Sequence, residues 1–358
     1  MAKVRATGRP KGHRDLPVAP IARVGSGCAR SRDESGWSSV TDRPIEPRVA
    51  SSGPVESREG AAPVLASEGR LVQVRAAAIQ MRSEPGDVSG NLDRALSHLS
   101  RCRDDGVELA VLPEMFNTGY CARGRYGPLA EDGSGPTIRA LRHFSRRWGM
   151  AVAAGFVEHH AGHLYDSLAV LLPDGRLDVY RKRHLVFWEC TRFRRGRDPL
   201  VVSTPWGRIG LAICADMIYR RVWRDYRGRI DLAIVSAAWP DFADRRSGRP
   251  HWLFGNLGPL SGEIPRLVSR DLGIPVVFAN MCGETETTIP MMPRIVDRFA
   301  GRSSLCDGAR GLPVRAGSEE AVVIASLSVP SSSPDRGASP CRSTSLSEPA
   351  GWSSTSAA

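Results

Sequence analysis

Lysine is almost missing from this chain: among 49 basic side chains in 358 residues only Lys3, Lys11 and Lys182 are lysine, and the other 46 are arginine. Over residues 71–330 Lys182 stands alone. Long apolar runs are missing too, and nothing approaches the roughly 18 to 20 residues that a membrane-spanning helix needs, so no membrane partner is expected. The longest apolar stretch near the N-terminus, Leu16–Val24, contains two prolines and an arginine. It makes a poor signal-peptide core, and export is not expected. The eight cysteines (28, 102, 121, 190, 214, 282, 306 and 341) include no Cys-x-x-Cys pair, which speaks against a zinc ribbon or a compact disulfide framework. They read as reduced thiols in a cytoplasmic protein. No Gly-x-Gly-x-x-Gly follows an apolar run and no Gly-x4-Gly-Lys-Ser/Thr loop is present, so neither a dinucleotide fold nor a phosphate loop is indicated. The histidines lack metal spacing, and a metal site is not expected.

What is present suits a soluble globular protein, with 41% hydrophobic and 24% charged residues. The formal net charge of +11 thins to +7 over residues 73–330, which is mild. Residues 1–70 are rich in Arg, Gly, Pro and Ser, and residues 331–358 in Ser and Pro. Neither end has the apolar surface to offset ordering entropy of roughly 1–2 kcal/mol per residue. The expectation is one domain over 71–330 between two disordered tails.

Inside that domain, short Val/Ile/Ala-rich runs alternate with amphipathic stretches, as in a layered α/β fold. Strands are expected at Val72–Gln80, Leu109–Leu112, Met150–Glu158, Leu164–Leu172, Arg176–Lys182, Arg208–Ile213, Leu232–Ser236, Val276–Ala279 and Ala321–Leu327. Helices are expected after an N-cap at Ser89, over Thr137–Trp148, and near Met217–Arg227 and Ile264–Leu272. Pro173-Asp174-Gly175 has hairpin chemistry. So many strands in mixed hairpin and crossover order suggest a four-layer α-β-β-α sandwich, two mixed sheets flanked by helices.

Three segments put a reactive side chain just past a strand, where open α/β folds gather their sites: Leu109-Ala-Val-Leu-Pro-Glu114, Val179-Tyr-Arg-Lys182-Arg-His-Leu185 and Gly207-Arg-Ile-Gly-Leu-Ala-Ile-Cys214-Ala-Asp216. Taken singly, each has a plain reading as a solvated acid, a surface lysine or a small buried hydrophobe. Together they fit a chemistry. A cysteine is a strong nucleophile but mostly a thiol at neutral pH, its free pKa being about 8.5. It needs a base, which Glu114 can be, and a positive field, which Lys182 can supply. A helix start after Cys214 would add its free N–H groups and dipole.

In this order, Leu-Pro-Glu-Met-Phe-Asn-Thr-Gly-Tyr, Tyr-Arg-Lys-Arg-His-Leu and Gly-Leu-Ala-Ile-Cys-Ala-Asp resemble the three catalytic motifs of the nitrilase superfamily of carbon-nitrogen hydrolases. Supporting segments are Val74-Arg-Ala-Ala-Ala-Ile-Gln-Met81, Pro275-Val-Val-Phe-Ala-Asn280-Met-Cys-Gly283 and Phe299-Ala-Gly-Arg-Ser303. The resemblance implies that Glu114 is the general base, Lys182 the stabiliser of the tetrahedral intermediate and Cys214 the nucleophile. It implies that Glu189, seven residues past the lysine, positions substrate and triad, and that the backbone N–H of Ala215 helps hold the oxyanion. Tyr120, Trp188 and Trp239 are candidate pocket walls. No cofactor is implied, and a homodimer is the family expectation.

The sequence departs from the family where Arg220-Arg221 replaces Pro-Glu and where a long loop, 237–263, replaces a shorter path into a helix. Asp216, two places after the nucleophile, resembles the amidase and carbamoylase branches. The expected activity is hydrolysis of a small linear amide or N-carbamoyl compound. Nitrile hydrolysis on the same triad and a catalytically silent binding protein on the same fold stay open. A nucleic-acid binder using Arg192–Arg197, Arg220–Arg229 and Arg245–Arg249 lacks any RNA-motif signature, and no nucleic-acid partner is expected.

Overall fold

The computed structural model describes residues 3–4, 71–120, 125–241, 243–244, 249–250, 257–287, 295–308 and 313–330. The tails expected at 1–70 and 331–358 lie outside the described residues, except that Lys3–Val4 pairs antiparallel with Val323–Ile324. Much of the 237–263 loop lies outside them as well.

The first sheet is built from β1 (Leu71–Gln80), β2 (Leu109–Val111), β3 (Ala151–His160), β4 (His163–Leu171) and β5 (Leu177–Arg181). The second begins with β6 (Val201–Thr204), β7 (Gly207–Ile213), β8 (Leu232–Ala237) and β9 (Pro275–Asn280), and is completed by β10 (Ser304–Asp307) and β11 (Val314–Arg315). The chain then returns to the first sheet as β12 (Ala321–Pro330). The first sheet runs β12-β1-β2-β3-β4-β5, with Lys3–Val4 outside β12, and the second runs β11-β10-β9-β8-β7-β6. Parallel pairs (β1/β2, β2/β3, β7/β8, β8/β9) form the middle of each sheet and antiparallel pairs the edges. Both sheets are therefore mixed, as expected.

Strand periodicity decides the layers, because successive side chains point to opposite faces. Ala76, Ala78, Val111, Ala153 and Val170 pack against Leu211, Ile213, Ile234 and Val277 of the facing sheet. Their alternates Ala77, Ile79, Ala110, Val152 and Leu171 pack on α1 (Val88–Asp104) and α2 (Pro136–Trp148). On the far side, α3 (Arg220–Tyr226) and α4 (Leu260–Leu272) bury Trp223, Tyr226 and Val268 against the second sheet. The alanine-rich faces let the sheets approach, and Ser236 Oγ donates to Leu112 O at 2.9 Å across the gap. Among the described residues no helix is long and apolar enough to cross a membrane.

Three local expectations change. The cap of α1 is Asp87, whose carboxylate accepts from Gly90 N at 3.0 Å, and Ser89 lies inside the first turn. The segment after Cys214 is not one helix from Met217: a five-residue 3-10 turn, Cys214–Ile218, precedes α3. The dipole expected there reduces to the free donors of a single tight turn. Helix α4 starts at Leu260, four residues before Ile264, because its first turn closes by i to i−3 bonds (Ser261 N to Gly258 O and Gly262 N to Pro259 O, both 3.1 Å) ahead of Pro265. The Pro173–Gly175 hairpin forms between β4 and β5, with Gly175 at φ 90°.

Candidate active site

Glu114, Lys182 and Cys214 each follow the C-terminal end of a strand, β2, β5 and β7 respectively. The chain turns sharply at each reactive acid and thiol: Met115 has φ 48° and Cys214 φ 45°. Left-handed backbone on a non-glycine residue costs on the order of 1–3 kcal/mol and persists only where the surroundings enforce it. One such enforcement is close approach by β3. A Cβ on Gly155 would lie 2.5 Å from Glu114 Cα and 2.7 Å from Pro113 O, so only glycine fits beneath that turn.

The side chains of Glu114, Lys182 and Glu189 are completely buried. Lys182 Nζ donates to Glu114 Oε1 at 2.6 Å and to Glu189 Oε1 at 2.8 Å. Glu114 Oε2 accepts Ala238 N at 2.6 Å. Glu189 also accepts Tyr120 Oη at 2.8 Å and Val186 N at 3.0 Å. Glu189 is thus a buried partner of the ammonium and not a solvated acid on a loop. Burial opposes charge on Lys182, yet Glu114, Glu189 and Asp166 together outweigh it and hold the ammonium well above the ordinary lysine value. Burial pushes the Cys214 thiol well up, the Glu114 charge adds to this, and Lys182 only partly offsets it. Both effects disfavour the thiolate, so chemistry at this sulfur would need an adjacent base to take its proton.

Ala215 occupies the first position after Cys214 in the 3-10 turn, where backbone donors have no partner within the helix. Asp216 ties the nucleophile turn to the lysine segment: it accepts from Ile213 N (3.1 Å), Tyr180 Oη (2.8 Å) and His184 N (2.9 Å). Trp188 packs edge-on to Tyr120 with ring centroids 5.0 Å apart, and Phe299 approaches Tyr120 from another side at 6.1 Å. Trp239 is buried in the core with Cys214. Its backbone N–H donates to Asn280 Oδ1 at 2.8 Å, and Asn280 Nδ2 donates to Gly301 O at 2.8 Å. The Asn280 and Phe299–Ser303 segments thus fix the turn whose Ala238 N–H holds Glu114. Arg220 and Arg221 are exposed at the start of α3.

Sequence reasoning missed Asp166. It sits on β4 with Oδ2 3.1 Å from Lys182 Nζ and no exposure. The available signal was a single acid inside an otherwise acid-free strand. Carboxylate oxygens of Glu114, Asp166 and Glu189 lie within 4.8 Å of one another. Three buried carboxylates could hold a cation, and here the Lys182 ammonium takes that place.

A layered α/β fold with a buried thiol, carboxylate and ammonium at its strand ends defines the class. Residues 75–327 match the family model described as carbon-nitrogen hydrolase, and the chain belongs to that family. An (R)-stereoselective amidase from a Pseudomonas species is 33% identical over 139 residues, 39% of this chain and 50% of the relative. The human omega-amidase NIT2 is 31% identical over 176 residues, 46% of this chain and 62% of the relative. The chain thus spans between half and just under two thirds of these curated relatives. Among solved structures, a CN-hydrolase superfamily protein from Xanthomonas campestris superposes with a TM-score of 0.58 at 24% identity, covering 72% of this chain and 91% of that one. An amidase of the nitrilase superfamily from Nesterenkonia gives 0.57 at 22% identity, covering 72% and 90%. These two likenesses establish the fold.

Proposed function

We propose that this protein hydrolyses the C–N bond of a small linear amide or N-carbamoyl compound through a thioester on Cys214. The observation that carries the reading is a buried thiol on a left-handed turn, in the field of a Glu114–Lys182 pair that solvent does not reach. In this scheme Cys214 Sγ attacks the carbonyl carbon while Glu114 takes the thiol proton. Lys182 Nζ and Ala215 N–H stabilise the oxyanion. The tetrahedral species collapses with cleavage of the C–N bond, and Glu114 returns its proton to the departing nitrogen. Water then attacks the thioester, Glu114 accepting its proton, and the acid product leaves as the thiol is restored.

The amide preference is supported by Asp216 at the position that resembles amidases and carbamoylases, and by relatives described as an (R)-stereoselective amidase and omega-amidase. A cytoplasmic setting and assembly with a second copy belong to the same reading. The first is supported by free thiols at Cys102, Cys214, Cys282 and Cys306.

The test is a panel of amides, N-carbamoyl compounds and nitriles, followed by ammonia or amine release and by mass spectrometry of the intact protein. An acyl adduct on Cys214 and no turnover by folded Cys214→Ala are expected. Turnover of nitriles alone would move the substrate class, and full activity in Cys214→Ala would end the proposal.

A further inference from the structure

Lys182 is one ammonium among three buried carboxylates; the scheme above uses Glu114, the resemblance gives Glu189 a positioning role, and Asp166 has none. With Glu114, Glu189 and Asp166 all ionised, this solvent-free cluster would carry two uncompensated negative charges next to the thiol that must become an anion. Burial of unpaired charge is resolved by protonation rather than tolerated. Which acid holds the proton can be read from the donors. Glu114 receives Lys182 Nζ and Ala238 N, one on each oxygen. Glu189 receives Lys182 Nζ, Tyr120 Oη and Val186 N. Both sets of donors favour an ionised acceptor. Among the described residues neither Asp166 oxygen has a hydrogen-bond partner, although both are buried. The ammonium 3.1 Å away is an ion-pair contact and not a directed bond. The main chain fixes Asp166 in this position, since its carbonyl accepts Lys182 N at 2.9 Å.

We propose that Asp166 is a positioning residue for the hydrolysis: it stands as the neutral carboxylic acid with its O–H directed at Glu114, leaving Glu114 ionised as the base for Cys214. The inference rests on the hydrolase reading. The groups facing Asp166 are Glu114 from the end of β2, Lys182 from the end of β5 and Glu189 from the following turn. Burial, joined by the charges of Glu114 and Glu189 against the opposing pull of Lys182, raises the Asp166 carboxyl well above the usual carboxylate range. The proton on Asp166 supplies Glu114 with a donor and removes a like charge from the site where the oxyanion forms. Loss of that proton at high pH would place a third negative charge beside the reacting atoms, so activity should decline on the alkaline side.

The experiment compares wild type with Asp166→Asn, which keeps a donor and removes the ionisation, and Asp166→Ala, which removes both. Asp166→Asn is expected to keep kcat within about threefold at neutral pH and to lose the alkaline decline, whereas Asp166→Ala lowers kcat by roughly tenfold or more with KM little changed. In protein labelled with 13C-aspartate, infrared spectra at neutral pH should show a carboxylic-acid C=O band that shifts with the label and is absent from Asp166→Asn. No such band in wild type overturns the inference even if the variants fail to fold. So does an Asp166→Asn variant as impaired as Asp166→Ala, or with an unchanged alkaline limb. Turnover by Cys214→Ala would instead overturn the hydrolase reading and leave the infrared result to decide the state of Asp166.

Discussion

Replacing Lys182 by arginine keeps the charge and changes only its shape. In the structure a point-like ammonium meets Glu114, Glu189 and Asp166 at 2.6, 2.8 and 3.1 Å from three directions, with no solvent contact. A guanidinium spreads five donors in a plane and is bulkier, so it cannot address those acceptors and an oxyanion from the same point. Forcing extra atoms into a packed site costs about 1–3 kcal/mol. For a domain of this size that is a melting-temperature loss of about 2–12 °C. Misplacing an oxyanion donor costs about 10²- to 10³-fold in kcat, or roughly 3–4 kcal/mol. The assay is calorimetry for stability together with steady-state kinetics on an amide that wild type turns over. Expected is a folded variant with kcat down by about a hundredfold or more. A Lys182→Arg enzyme within a few-fold of wild type would refute the argument that the ammonium's geometry, and not its charge alone, is needed.

Other outcomes follow from single contacts. Gly155→Ala should displace the Pro113–Met115 turn, because its Cβ would lie 2.5 Å from Glu114 Cα; kcat should fall and stability drop by about 1–3 kcal/mol, read by kinetics and thermal unfolding. Tyr120→Phe removes one donor from Glu189 but leaves Lys182 and Val186 on it, so a loss of about 0.5–1.5 kcal/mol in kcat/KM is expected with triad alkylation intact. Glu320, hydrogen-bonded to His98 Nε2 at 3.0 Å, has its carboxyl held below the usual range chiefly by that bond. A lowered acid stabilises the fold above its unfolded pKa and loses that contribution as pH falls through the folded value. Glu320→Gln should therefore cost under about 1 kcal/mol near neutral pH, since the pair is partly exposed, and the difference should vanish in acid, measured by denaturant unfolding against pH.

Apolar periodicity made the strands and their order legible, because a strand in a two-sheet sandwich is buried on both faces and reads as a short Val/Ile/Ala run. The same run cannot say which sheet it joins. Ala76 faces the second sheet while Ala77 faces the helices, a choice made by the pleat and not by composition. The strands Val201–Thr204, Ser304–Asp307 and Val314–Arg315 go unmarked in the sequence, since pieces of two to four residues are too short to show a period, even where, as at Ser304–Asp307, they are buried.

Sequence by itself singled out the groups proposed to react: Glu114, the lone Lys182 of residues 71–330, and Cys214, each at a strand end in a recognisable motif. Glu189 was named as well, but only packing decided that it is buried on the ammonium and not solvated on a loop. Tertiary structure alone supplied Asp166, the Ala238 N–H on Glu114 and the glycine beneath the Glu114 turn, because these act through contacts between segments far apart in the chain. A motif records which atoms react. The field and donors that set their protonation come from neighbours whose closeness exists only after the two sheets have packed.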